Sequence, residues 1–163
     1  MAIRIFVTGG TIDSVDYKSE EEAPKDASSA IPKLLRDARV SVECNVDVVF
    51  FKDSRFVNNS DRGILLQKCR ECKEERIVVT HGSITMADTA AHLGNAKLEK
   101  TVVLMGAITP AKKENSDAQF NIGFAIAAVQ FLPKGVYIAM NGRVFAWNNV
   151  RKNIKTGYFE ETK

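Results

Sequence analysis

The sequence predicts a doubly wound α/β domain, with a mostly parallel sheet and an antiparallel C-terminal hairpin, of the flavodoxin or Rossmann-like kind. Three observations predict it. Short runs rich in Val and Ile alternate with longer helix-forming stretches, as in RIVVT at 76–80 followed by 86–97, and TVVLM at 101–105 followed by 116–131. Strand, loop and helix recurring at that spacing implies parallel βαβ units. The chain opens on a β-branched apolar run, IRIFV at 3–7, which leads directly into Thr8-Gly9-Gly10-Thr11, a buried strand entering a loop of exposed backbone. Finally, Asn141-Gly142 sits between two strand-like runs within residues 135–147, a strong short-range hairpin signal.

The elements follow in order. Residues 3–7 form the first strand. Residues 19–29 (SEEEAPKDASS) are acidic and poor in apolar side chains, a solvated segment ahead of a short helix at 31–37. Residues 42–51 form the second strand. Asn58, Asn59, Ser60 and Asp61 supply N-cap oxygens for a helix running to about Glu74, with Ile64, Leu65 and Cys72 directed at the core. Two further strands, 76–80 and 101–105, each precede a loop and a helix. All 163 residues are expected to form a single domain near the usual domain size. Ligands of such sheets sit at the carboxyl ends of the strands, so three candidate loops are expected to face one crevice.

Composition excludes several function classes. Lys and Arg number 23 against 20 Asp and Glu, a net charge of +3 that lacks the clustered basic excess of a phosphate-backbone footprint, so no nucleic-acid partner is expected. With 45% hydrophobic residues, 10 Gly and 4 Pro, the chain is neither disordered nor collagen-like. Its longest apolar stretch, 124–132, is too short to span a membrane, and residues 1–7 are too short for a secretory h-region. A cytoplasmic protein is expected. The odd count of Cys44, Cys69 and Cys72 fits reduced thiols, and the pair Cys69/Cys72 lies inside a predicted helix, where packing is a better reading than metal or redox chemistry.

Two loops carry chemistry-bearing residues. Thr8-Gly9-Gly10-Thr11-Ile12 combines glycines, whose backbone a ligand can approach, with a hydroxyl at the strand end. It is neither G-x-G-x-x-G nor a phosphate loop, and by spacing alone a plain tight turn explains it equally. Thr80-His81-Gly82-Ser83-Ile84-Thr85 repeats the combination after another strand, offering a nucleophile, an acid–base partner or oxyanion donors. His81 reads better as a structural hydrogen-bonding residue than as a general base.

Together with Met86-Ala87-Asp88-Thr89-Ala90, Val102-Val103-Leu104-Met105-Gly106-Ala107, Ser116-Asp117 and Asn121, these loops resemble, in type and order, the signatures of the bacterial-type L-asparaginase/glutaminase family. The resemblance runs from residue 3 to about residue 159, includes Val150-Arg151-Lys152, and corresponds to the family's N-terminal domain. A short member without the C-terminal domain is therefore expected. The resemblance implies hydrolysis of the side-chain amide of L-asparagine, with L-glutamine second, through an acyl-enzyme on Thr11. It implies Tyr17 as the partner of Thr11, and Ser83 paired with a lysine, Lys152 or its near neighbour Lys155. A lysine serves as a base only where burial or neighbours lower its pKa. For binding it implies Ser54 beside Asp53 at the substrate carboxylate, unless that pair merely begins a turn. The backbone carbonyl of Ala107 would meet the leaving amide, backbone N–H groups near Gly10 and Ser83 would hold the oxyanion, and Gly82 would be a further substrate-binding position. It implies no metal or organic cofactor, and a homo-oligomer, most simply a symmetric dimer.

One departure stands out. The family has Thr-Asp after His-Gly, where the aspartate holds the substrate α-ammonium, and this chain has Ser83-Ile84. Either Asp13, Asp16 or Asp53 replaces that contact, or the preferred amide lacks a free α-amino group. A non-catalytic small-ligand-binding relative is the alternative from another class. A flavodoxin-like mononucleotide binder rests on fold analogy alone.

Overall fold

The computed structural model describes residues 1–14 and 28–163. β1 (Ala2–Gly9), β2 (Glu43–Lys52), β3 (Arg76–Thr80), β4 (Thr101–Met105) and β5 (Gly135–Met140) run parallel, and β6 (Arg143–Ala146) adds an antiparallel edge. The strand order is β2-β1-β3-β4-β5-β6. Asn141 and Gly142 both have positive φ, 56° and 70°, so the β5–β6 connection is the tight hairpin turn expected of Asn-Gly.

Alternation along the strands builds two cores. On one face Ile3, Ile5 and Val7 of β1, Val78 of β3 and Val103 of β4 pack with α1 (Ile31–Asp37) and α4 (Ala118–Phe131). On the other, Phe6, Ile77, Val79, Val102 and Leu104 pack with α2 (Asn59–Glu71) and α3 (Met86–Asn95). The expected doubly wound α/β architecture is therefore present. β7 (Arg151–Lys152) and β8 (Phe159–Glu160) form a separate antiparallel pair after the sheet.

Local chemistry explains the boundaries. Asn58 caps α2 by accepting from Asp61 N–H, and Asp61 reciprocates to Asn58 N–H, a capping box. The core face of α2 corrects the expectation: Leu65 and Cys69 are buried, whereas Ile64 is 49% exposed and Cys72 half-buried. Residues four apart share a helix face, so the stripe runs through Asp61, Leu65 and Cys69. α3 stops before 97 because Lys97 adopts φ 50°, and at the start of α4 Ser116 Oγ accepts from Ala118 N–H while Asp117 turns its carboxylate back onto the preceding loop. Among the described residues, no helix is long and apolar enough to cross a membrane.

Candidate active site

The winding of the sheet reverses between β1 and β3, where crevices form outside the strand ends. After β1, Gly10 has φ 81°, and Thr11–Asp13 makes one 3-10 turn. A Cβ on Gly10 would lie 2.5 Å from the backbone nitrogen of Gly82, so the loop after β1 and the loop after β3 meet through a position only glycine can occupy. A Cβ on Gly82 would in turn lie 2.7 Å from Ser54 Oγ, which brings in the loop after β2. Thr11, Ser54 and Ser83 thereby line one cavity of about 200 Å³.

Lys152 enters that cavity from β7. Its strand partner Phe159 is buried among the residues of the α2/α3 face and anchors the segment. The Lys152 Nζ donates to Ser83 Oγ at 2.7 Å, and burial holds its pKa below the ordinary 10.5. Lys155 is exposed, on a turn held by Asn153 Oδ1 accepting from its N–H. Of the two lysines left open by sequence, Lys152 is the one brought to Ser83.

Asp53 and Ser54 are held firmly. Asp53 accepts from Arg55 N–H at 2.9 Å and from the Arg55 guanidinium at 3.1 Å through both Nε and Nη2, so its buried carboxylate is already engaged. Ser54 Oγ accepts from Thr85 N–H at 3.4 Å, while the Ser54 carbonyl accepts from Thr85 Oγ1 at 2.6 Å. Both residues line the cavity, as do Gly10 and Gly82.

His81 points away from the cavity, into the protein. Its Nδ1 bonds the Gly82 carbonyl at 2.8 Å and its Nε2 bonds Thr89 Oγ1 at 2.9 Å; Thr89 Oγ1 also accepts from Arg62 Nε at 3.1 Å. Full burial pushes the His81 pKa down to about 4, so the ring is neutral and Nδ1–H is the donor to the carbonyl. The structural reading of His81 fits this geometry. Its effect is to fix the peptide immediately before Ser83.

Ala107 is buried and belongs to the α1/α4 core; its neighbour Ile108 lines the cavity instead, 47% exposed. The loop is pinned by Asp117, which accepts from Ile108 N–H at 3.0 Å and Thr109 N–H at 3.0 Å. Asn121 closes the same network, donating to Asp117 and to the Gly106 carbonyl. Ile84, 45% exposed, also lines the cavity. Asp13 does not: its carboxylate accepts from Ala30 N–H and Ser29 Oγ, and burial raises its pKa. Tyr17 and Asp16 lie outside the described residues.

Sequence reasoning missed Ile108, Thr85 and the Arg62–Thr89 support of His81. Ile108 could have been found, since it follows the end of β4 where ligands bind. Arg62 gave no signal, because a helical arginine is ordinarily solvated and only the packing reveals this one as buried. Among the described residues, no cluster of His, Cys, Asp and Glu is arranged to hold a metal ion.

Known proteins resemble the chain along nearly its whole length. It is 30% identical over 94% of its residues to the probable periplasmic L-asparaginase of Haemophilus influenzae, covering 47% of that protein. It is 27% identical over 96% of its residues to the glutaminase-asparaginase of Pseudomonas fluorescens, again covering 47% of it. The chain thus spans about half the length of the curated relatives it matches. Among solved structures it resembles the probable cytoplasmic L-asparaginase of Campylobacter jejuni, with TM-score 0.82, 26% identity, and coverage of 98% of this chain and 52% of that one. The thermostable L-asparaginase of Thermococcus kodakarensis gives TM-score 0.80 at 25% identity, over 99% of this chain and 51% of that one. The sequence model described as "Asparaginase, N-terminal" matches residues 2–159, and the chain therefore belongs to the asparaginase family, through that family's N-terminal domain.

Proposed function

We propose that this chain is a threonine amidohydrolase that converts the side-chain amide of an asparagine-type substrate to the acid and ammonia. The observation that carries the reading is the 2.7 Å bond between Lys152 Nζ and Ser83 Oγ in the cavity that Thr11 also lines. A water that attacks an ester needs a base to take its proton, and a lysine reached through a bonded hydroxyl supplies one when burial favours its neutral form. Lys152 is displaced in that direction.

Thr11 Oγ attacks the amide carbon, and its proton passes to a neighbouring base as the carbonyl π bond opens. Backbone N–H groups near Gly10 and Ser83 stabilise the oxyanion. Collapse breaks the C–N bond and releases ammonia with that proton, leaving an ester on Thr11. Water, relieved of a proton by the Ser83–Lys152 pair, then attacks the ester and restores Thr11. Tyr17 is the proposed partner of Thr11 in the first step, Ser54 is the proposed binder of the substrate carboxylate beside Asp53, and the Ala107 carbonyl is the proposed acceptor for the leaving nitrogen. L-asparagine is the first substrate to test and L-glutamine the second, given the names of the relatives.

The test is ammonia release from both amino acids and from their α-blocked derivatives, by the native chain and by Thr11→Ala. Loss of release by about a thousandfold or more in a folded variant supports the reading. No release from any amide by the native chain overturns it and favours a binding role. The cytoplasm and a symmetric homodimer remain our proposals for compartment and assembly.

A further inference from the structure

We propose that the cavity selects acid amides whose α-nitrogen is uncharged, either acylated or absent, and packs that end of the substrate on Ile84 and Ile108. The inference rests on the amidohydrolase reading for the chemistry, but on the cavity's own composition for the selectivity.

Electrostatics supplies the first half of that selectivity. The polar lining of the cavity, among the described residues, consists of hydroxyls and glycine backbone, one amine on Lys152, and one carboxylate on Asp53. That carboxylate accepts three hydrogen bonds from Arg55, two of them from the guanidinium, and caps the turn at 54–56. Its charge is compensated where it stands, so a substrate ammonium entering the cavity meets no carboxylate without a cationic partner among these residues. Lys152, when protonated, would repel it. Desolvating an ammonium without an anionic partner is heavily unfavourable, whereas an acylated nitrogen carries no charge to desolvate.

The apolar lining supplies the complementary half. Ile84 and Ile108 come from different loops, after β3 and before α4, and are 45% and 47% exposed while lining a cavity of about 200 Å³. Both are held in place by polar backbone anchors: Ile108 N–H donates to Asp117, and Thr85, next to Ile84, is bonded twice to Ser54. Exposed isoleucines at fixed positions beside a polar cleft gain by covering apolar ligand surface, and a ligand group such as an acetyl methyl would supply it.

The experiment separates selectivity from catalysis by using the acids as binding probes. Dissociation constants of succinate, N-acetyl-L-aspartate and L-aspartate for the native full chain would be measured by calorimetry beside the ammonia assay on the corresponding amides. N-acetyl-L-aspartate and succinate are expected to bind at least about tenfold more tightly than L-aspartate. Ile84→Asp is expected to reverse that order, and Ile108→Ala to weaken N-acetyl-L-aspartate relative to succinate by about tenfold. L-aspartate binding as tightly as the other two, or no binding by any of them, overturns the proposal. Selective binding without ammonia release from any amide leaves the selectivity standing and defeats the amidohydrolase reading. Release from L-asparagine in preference to the α-blocked amides does the opposite.

Discussion

Lys152 Nζ and Ser83 Oγ meet at 2.7 Å although 69 residues separate them in the chain. The contact joins the loop after β3 to the short β7 strand, and it is made from opposite sides: the His81 ring fixes the peptide before Ser83, while buried Phe159 fixes the strand that carries Lys152.

The pH dependence of the pair follows from burial. Because the native pKa of Lys152 lies below 10.5, the neutral amine appears at lower pH than in a free lysine, and kcat/KM is expected to rise with pH and level off below that value. Between the native value and 10.5 the unfolded chain binds more protons than the native one, so stability rises as pH climbs through that window. Lys152→Met should remove the rising limb and lower kcat by about a thousandfold. A pH–rate profile of both proteins, with urea titrations at several pH values, checks this.

His81 makes its contribution on the acid side. With its pKa near 4 in the native state against 6.5 unfolded, the unfolded chain takes up a proton that the native chain refuses as pH falls. Stability is therefore lost between these values, by about 2 kcal/mol on going from about pH 7.5 to about pH 5. Comparing the native chain with His81→Asn by urea unfolding isolates this loss from that of the carboxylates. Equal slopes in the two proteins would contradict it.

Gly10→Ala should damage both fold and site. The new Cβ would demand φ 81° of an L residue and lie 2.5 Å from Gly82 N, so the loops after β1 and β3 would have to separate. A loss of about 3 kcal/mol in unfolding free energy is expected, with activity falling further than stability alone explains. Thermal unfolding and ammonia release, measured on the same preparation well below the midpoint, distinguish the two effects.

Asp117→Ala frees the loop that carries Ile108. It removes the acceptor for the Ile108 and Thr109 N–H groups and for Asn121 Nδ2, at a cost of about 2 kcal/mol. KM is expected to rise more than kcat falls, because the loop contributes cavity lining rather than the reacting groups. Asp117→Asn, which keeps one acceptor oxygen, should recover part of the loss, and steady-state kinetics on both variants would show it.

Much of the fold is legible in the sequence. Strand runs at 76–80 and 101–105, the helix at 31–37 and the Asn141-Gly142 turn all appear where local pattern puts them, because hydrophobic period and turn chemistry act within a few residues. Ile64 departs from its expected place for a related reason: adjacent residues on a helix point about 100° apart, and only the neighbouring sheet decides which of Ile64 and Leu65 is covered. The loop motifs likewise single out Thr11 and Ser83, the family resemblance adds Ser54, and all three line one cavity.

Sequence by itself thus determined the doubly wound topology, the loops that end its strands and the family to which the chain belongs. Tertiary structure alone decided that Lys152 rather than Lys155 reaches Ser83, that His81 turns inward to Thr89, that the Asp53 charge is taken up by Arg55, and that Ile108 joins Ile84 at the cavity. The division has a physical cause. Propensity and period are properties of neighbours along the chain, whereas a side chain's hydrogen-bond partners and desolvation come from segments tens of residues away, whose approach depends on how the whole sheet and its glycine contacts pack.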